Sequence, residues 1–205
     1  MRTKLLNIFL IFLFTVSYAQ NNERLEFDRR DNFDNETVSP LENHTLLIQS
    51  LSKKGKKGQN ELKNEFYSSD FELLKTVPVM IKERSSFDDS YQYDGVNYSF
   101  YRTKRNNFTI VTSDSKDMTC SKVEGKFPKG AEFFGMTVYK NKAVLNMTHK
   151  RAEKMIIIDL KDGKYKEVAF KIDKVRTKNI SVEDFQVMNN EILVYLKVIK
   201  DRKNT

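Results

Sequence analysis

From Phe71 onward the chain alternates short runs of β-branched and aromatic residues with turn residues, a pattern of period two rather than 3.6. "FELLKTVPVMIKE" (71–83) reads as a strand, and Pro78, which cannot donate to a ladder, places that strand at a sheet edge or a bulge. "SYQYDGVNYSFYRT" holds Asp94-Gly95, the pair that a type I′ hairpin turn demands because both central residues need positive φ. "NNFTIVTSD" and "SKVEGKF" supply two more strands, before Pro128, Gly130 and Gly135 interrupt the pattern. A second series follows: a strand over 137–140, a turn at Asn141-Lys142, a strand over 143–148 and a polar loop over 149–154. Then come the apolar run "MIIIDL" (155–160), a turn at Asp162-Gly163, and "YKEVAFKI".

The second series recurs. Placing Val138 on Val187 sets Asn141 on Asn190, Val144 on Leu193 and Leu145 on Val194, an offset of 49 residues. Placing Tyr93 on Tyr139 sets Gly95 on Asn141 and Tyr98 on Val144, an offset of about 46. The repeat units span about 91–134 and 137–172, with a partial unit over 183–200. Four antiparallel strands repeated every 40 to 50 residues are how a β-propeller blade looks in sequence. The expected fold is therefore all-β: antiparallel four-stranded meanders forming a partial, propeller-like array of about two and a half blades. A β-sandwich or barrel is the alternative.

The "YKNKAVL" and "MNNEILV" turns, the "MIIIDLKDGK" strand pair and the Lys/Asn-rich texture resemble secreted bacterial β-propeller-like proteins of the six-bladed type, over roughly residues 71–200. The resemblance implies a propeller fold and carries over no functional residue. The chain contains no Trp, so the Trp-Asp signature of one large propeller class is missing. A chain with two and a half units is either a truncated propeller, a ring completed by association through unpaired strand edges, or another β fold.

Upstream the texture differs. Arg2 and Lys4 precede an apolar run from Leu5 to Val16, and Ser17-Tyr18-Ala19 offers small residues for cleavage between Ala19 and Gln20. That is a signal-peptide layout, and its run is well short of the roughly 20 residues that span a bilayer. The expected product is secreted or periplasmic, with no integral membrane segment after cleavage. Residues 20–41 read as a poorly ordered leader and 42–70 as a short irregular or helical segment, in which Leu46, Leu47, Ile48 and Leu51 form a short strand or a turn of helix and Asn60–Tyr67 has helical character.

Charge and chemistry narrow the function by exclusion. The formal net charge is +8, but acidic and basic residues interleave, apart from the cluster "SKKGKKG" (52–58). Without aromatic or arginine residues among those lysines, a nucleic-acid partner is not expected. Cys120 is the one cysteine, so no internal disulfide forms, and it reads as a half-buried structural thiol. No glycine-rich phosphate loop, cofactor motif or metal-ligand spacing occurs; "TSDSKD" (112–117) lacks the alternating carboxylates of a calcium loop. Two acid pairs lie beyond the leader, Asp88-Asp89 and Glu183-Asp184. Asp88 and Asp89, with Tyr91 and Tyr93 nearby, are the candidate ligand face, because carboxylates beside aromatic rings suit sugar or peptide binding; no catalytic residue is assigned. The expectation is a non-enzymatic exported binding or scaffold protein contacting a protein or glycan of the envelope. The alternatives are a hydrolase-like propeller drawing carboxylates from separate blades, and a propeller remnant without activity.

Overall fold

Strand after strand folds back on its predecessor in the computed structural model, which describes residues 33–52, 58–103, 106–150, 152–188 and 191–199. The first sheet comprises β1 (Phe33–Pro40), β2 (Leu46–Ser52), β3 (Gln59–Tyr67) and β4 (Leu73–Lys82) in that order. The second comprises β5 (Ser85–Tyr93), β6 (Val96–Thr103), β7 (Asn107–Asp114) and β8 (Thr119–Lys126). The third comprises β9 (Glu132–Tyr139), β10 (Lys142–His149), β11 (Ala152–Asp159) and β12 (Tyr165–Ala169). β13 (Ile180–Met188) and β14 (Glu191–Val198) form a two-stranded fourth. Every pairing is antiparallel between chain neighbours. The fold is all-β, a succession of four-stranded meanders of the partial propeller-like kind. First strands lie beside first strands (β5 by β9, β9 by β13), and last beside last (β4 by β8).

The hairpin chemistry is legible residue by residue. Asp94 and Gly95 both take positive φ, 53° and 73°, as a type I′ turn requires. Pro78 stands on β4, the edge strand of its sheet. Two turns differ from the sequence reading. Tyr139 pairs with Lys142, so the turn is Lys140-Asn141, one residue early, with Lys140 at φ 51°. His149 pairs with Ala152, so the expected loop over 149–154 shrinks as β10 and β11 extend across polar residues, two of which bond neighbouring strands: Glu153 takes Ser181 and Val182, and Lys154 meets Glu167.

The larger correction lies upstream. Residues 33–40 of the expected leader form β1, and the expected irregular or helical segment forms β2 and β3. Among the described residues the array is thus three four-stranded units and a two-stranded one, one unit more than the pattern suggested. The reason is in the core-facing positions. Gln49 and Asn64 are buried at 1% and 0% exposure among Leu47, Leu51, Leu62 and Phe66, so a period-two stripe carries amides where the sequence pattern looked for hydrocarbons. Burying those amides is tolerated because they satisfy one another. Gln49 Nε2 donates to Asn64 Oδ1 at 2.7 Å, and Asn64 Nδ2 to the Val77 carbonyl at 3.0 Å. Ser99 Oγ donates to Gln49 Oε1, and Asn97 Nδ2 to Ser99 Oγ at 2.8 Å, which carries the chain of bonds into the second sheet. Residues 1–32, with the expected signal and its cleavage site, and 53–57 of the lysine cluster lie outside the described residues.

Sheets pack face to face. Between the second and third, Phe100, Phe108, Ile110, Val138, Leu145, Met147, Ile156 and Ile158 are buried together. Phe127 stacks on Phe108 with centroids 4.5 Å apart, and Phe100 meets Phe133 at 4.7 Å. Each such ring contributes about 1.5–3 kcal/mol by burial. Leu51, Leu62, Val79 and Ile81 pack on Tyr101 and Val111 between the first and second sheets.

Each first strand also carries one β-bulge. The extra residue is Asp88 in β5, Phe134 in β9 and Glu183 in β13, and β1 is irregular between Asp34 and Thr37. The bulges stand 46 and 49 residues apart, the two offsets visible in the sequence repeat.

Candidate functional site

Where β5, β9 and β13 come together, a cavity of about 320 Å³ opens. Its position follows from the bulges, since an extra residue bends the strand away from its neighbour and redirects side chains out of the pleat. Asp89 and Tyr91 line it from β5, Phe134 to Thr137 from β9, Asn146 from β10, and Val182 to Phe185 from β13. Gly135 faces Asn146 across the β9–β10 pair, and a Cβ placed on it would meet no atom within 4 Å. The absent side chain is therefore part of the opening.

The four residues singled out from the sequence separate. Asp89 lines the cavity and is held at both oxygens: Ser90 N donates to Oδ1 at 2.8 Å and Met136 N to Oδ2 at 3.0 Å. The Met136 bond ties β5 to β9, using an edge-strand N–H that the sheet itself leaves open. Tyr91 lines the cavity beside Asp89. Asp88, the bulge residue, accepts a bond from Arg102 Nε at 2.9 Å instead, and Arg102 Nη1 reaches the Ala131 carbonyl at 3.4 Å. Burial pushes the Asp88 carboxyl above its ordinary range, and the Arg102 charge opposes that rise. Tyr93 packs edge-on against Tyr139, with centroids 5.9 Å apart, outside the cavity lining. Asp88 is thus tied to Arg102 within the second sheet, and Tyr93 packs on Tyr139 of the third.

The second acid pair enters from the far side. Asp184 repeats the local geometry of Asp89, with Phe185 N donating to its Oδ1 at 2.8 Å and Gln186 Nε2 to its Oδ2 at 3.2 Å. Glu183 pairs with Lys197 Nζ at 3.0 Å. Asn146 is 8% exposed, and its Oδ1 has no hydrogen-bond partner. Phe134 is 59% exposed at the cavity wall. Sequence reasoning left Phe134 and Asn146 out and discounted Glu183 and Asp184. The repeat offsets held the missing signal, because they superpose Asp88 on Phe134 and Phe134 on Glu183.

Other features resolve as structure. A hollow of about 460 Å³ lies between the turn at 40–46 and the loop at 68–71, built from loop residues of a single sheet. Cys120 is half-buried, its Sγ 3.5 Å from Ser113 Oγ, and burial raises its thiol pKa. Of six Asn-x-Ser/Thr sequences, those at Asn97 and Asn146 are buried in strands, closed to a modifying enzyme once the chain has folded. Among the described residues, no helix is long and apolar enough to cross a membrane.

No protein-family model and no curated protein matches the chain. Among solved structures it is similar to cobalt-substituted Synechocystis ACO, at 8% identity and a TM-score of 0.41, over 64% of this chain and 37% of that one. It is similar to the extracellular domain of a one-component system protein of B. thetaiotaomicron, at 11% identity and a TM-score of 0.40, over 83% of this chain and 21% of that one. It is also similar to the Vanderwaltozyma polyspora Nup133 β-propeller domain, at 11% identity and a TM-score of 0.30, over 88% and 57% of the two chains. The chain spans less than two thirds of the length of each, and likeness at this level carries neither function nor site across.

Proposed function

We propose that this is an exported, non-enzymatic binding protein that contacts a glycan or protein of the cell envelope through the cavity between β5, β9 and β13. The observation that supports it is the convergence of carboxylates and aromatic rings from separate sheets on one opening. Export rests on the charged, apolar and small-residue layout of residues 1–19.

A hydrolase reading draws on the same convergence, because Asp89 and the Glu183-Asp184 pair come from separate sheets. Their hydrogen bonds argue for binding. Asp89 and Asp184 each accept a donor at both oxygens, and Glu183 faces an ammonium, so all three are already engaged by groups of the chain itself. Glycoside hydrolysis needs two carboxyl groups free to reach opposite sides of the scissile bond.

The test is binding to arrayed envelope glycans and peptides, with Gly135→Leu as the variant that fills the opening. Retained folding with lost binding is the expected result. Unchanged binding by a folded Gly135→Leu protein would remove the cavity from the reading. Turnover of a polysaccharide or peptide substrate, abolished by Asp89→Asn, would replace binding with catalysis.

A further inference from the structure

Resting on that reading of the cavity, we propose that its ligand presents an ammonium group beside an apolar or ring face, as an amino sugar or a lysine side chain does. The charge of the lining points this way. Asp89, Glu183 and Asp184 contribute three carboxylates, and no Lys, Arg or His stands among the lining residues. This negative opening sits in a chain whose formal net charge is +8. A concave site lined by one sign of charge concentrates ions of the other.

An acidic cluster alone would read as a solvated surface. Asn146 says more. It lies on β10 at the cavity wall with 8% exposure, and its Oδ1 lacks a donor. A covered acceptor without a partner is destabilising, so the fold holds there a group that a ligand donor would satisfy. Asn146 lines the opening from β10 and pairs with Gly135, whose missing side chain leaves space beside it. An ammonium has three donors and no acceptor, and it can bond an amide oxygen while facing carboxylates.

The same geometry argues against a metal ion. Among the described residues, no three carboxylate, imidazole or thiolate side chains stand close enough together to hold one. The rings of Tyr91, Phe134 and Phe185 line the opening together with the three acids. Those rings suit an organic cation, which gains from the negative face of an aromatic ring as well as from the carboxylates. Lys197 already reaches Glu183 from β14, with both side chains more than half exposed. A surface pair of this kind is worth at most about 1 kcal/mol, so a ligand ammonium can displace it.

Calorimetric titration of the full chain with glucosamine against glucose, and with Nα-acetyl-lysine amide against its norleucine counterpart, tests the proposal and separates the two sources of ammonium. The expected result is binding by at least one ammonium probe, absent for its neutral counterpart, weakened by salt and by about tenfold in Asp184→Asn. Gly135→Leu, which keeps the backbone uncrowded, should abolish it. Equal binding of the neutral counterparts would overturn the ammonium assignment. If that binding is also lost in Gly135→Leu, the cavity reading survives without it. Failure of every ammonium probe likewise overturns the assignment, and if envelope-array binding then persists in Gly135→Leu, the cavity reading falls too.

Discussion

Gly125 and Gly163 bring the second and third sheets into contact where no side chain would fit. A Cβ on Gly163 would lie 2.4 Å from the Glu124 carbonyl oxygen, at a φ of 71° that L residues resist. A Cβ on Gly125 would enter the Phe108 ring at 2.3 Å. Gly163→Ala and Gly125→Ala should each lower stability by about 1–3 kcal/mol in a denaturant melt. Gly130→Ala, with a φ of 79° and open space around it, should cost about 1 kcal/mol. Cys120 makes a second residue-scale prediction. Its burial raises the thiol pKa and leaves less thiolate, so alkylation at pH 8 should be far slower than for a free cysteine and should accelerate in urea. A third concerns pH. The Lys154 ammonium bonded to Glu167, with His149 adding to it, holds that carboxyl below its usual range. The bond stabilises the fold above the ordinary glutamate range and is lost as pH falls through the depressed value. Glu167→Gln should therefore cost up to about 1 kcal/mol at pH 7, and the gap should close in acid.

At the scale of elements, the first strand of each sheet is the one that does two jobs. It pairs with the second strand, and in the second and third sheets it also meets the first strand of the next sheet along its free edge. Carboxylates join the last two pairs of sheets: Asp89 on β5 takes the Met136 N–H of β9, and Glu153 on β11 takes Val182 N at 2.6 Å and Ser181 Oγ at 2.8 Å on β13. Glu153→Ala should loosen β13 and β14 selectively, at a cost of about 1.5–3 kcal/mol for charged bonds. Hydrogen exchange should show faster amides in 180–198, with the first sheet unchanged. The hairpins at this scale were legible, because Asp94-Gly95 and Asp162-Gly163 punctuate apolar runs. β2 was only half legible, as a strand or a turn of helix, and β3 was missed, because Gln49, Asn60 and Asn64 occupy core-facing positions and break the hydrophobic alternation.

The whole molecule ends, among its described residues, on an incomplete unit. β14 has no strand on its outer edge, and Leu193, Tyr195, Leu196 and Val198 are each at least 36% exposed. Apolar groups on a free strand edge favour pairing with another chain. Analytical ultracentrifugation should show concentration-dependent association that Tyr195→Lys together with Leu193→Lys suppresses. A species unchanged by those substitutions would place association elsewhere. The face-to-face packing of the first three sheets, with buried side chains shared across both interfaces, predicts one cooperative thermal transition for residues 33–169.

By itself the sequence determined the strand class, most hairpins and the 46- and 49-residue offsets, because period-two alternation and positive-φ turn residues are local properties of the chain. Only the tertiary structure decided which acids meet. Asp88 and Asp89 are neighbours in sequence yet divide between Arg102 and the cavity, while Asp89 and Asp184, almost a hundred residues apart, share one opening. Adjacency along a strand says little about direction once a bulge intervenes. The cavity exists only where three first strands converge on a glycine.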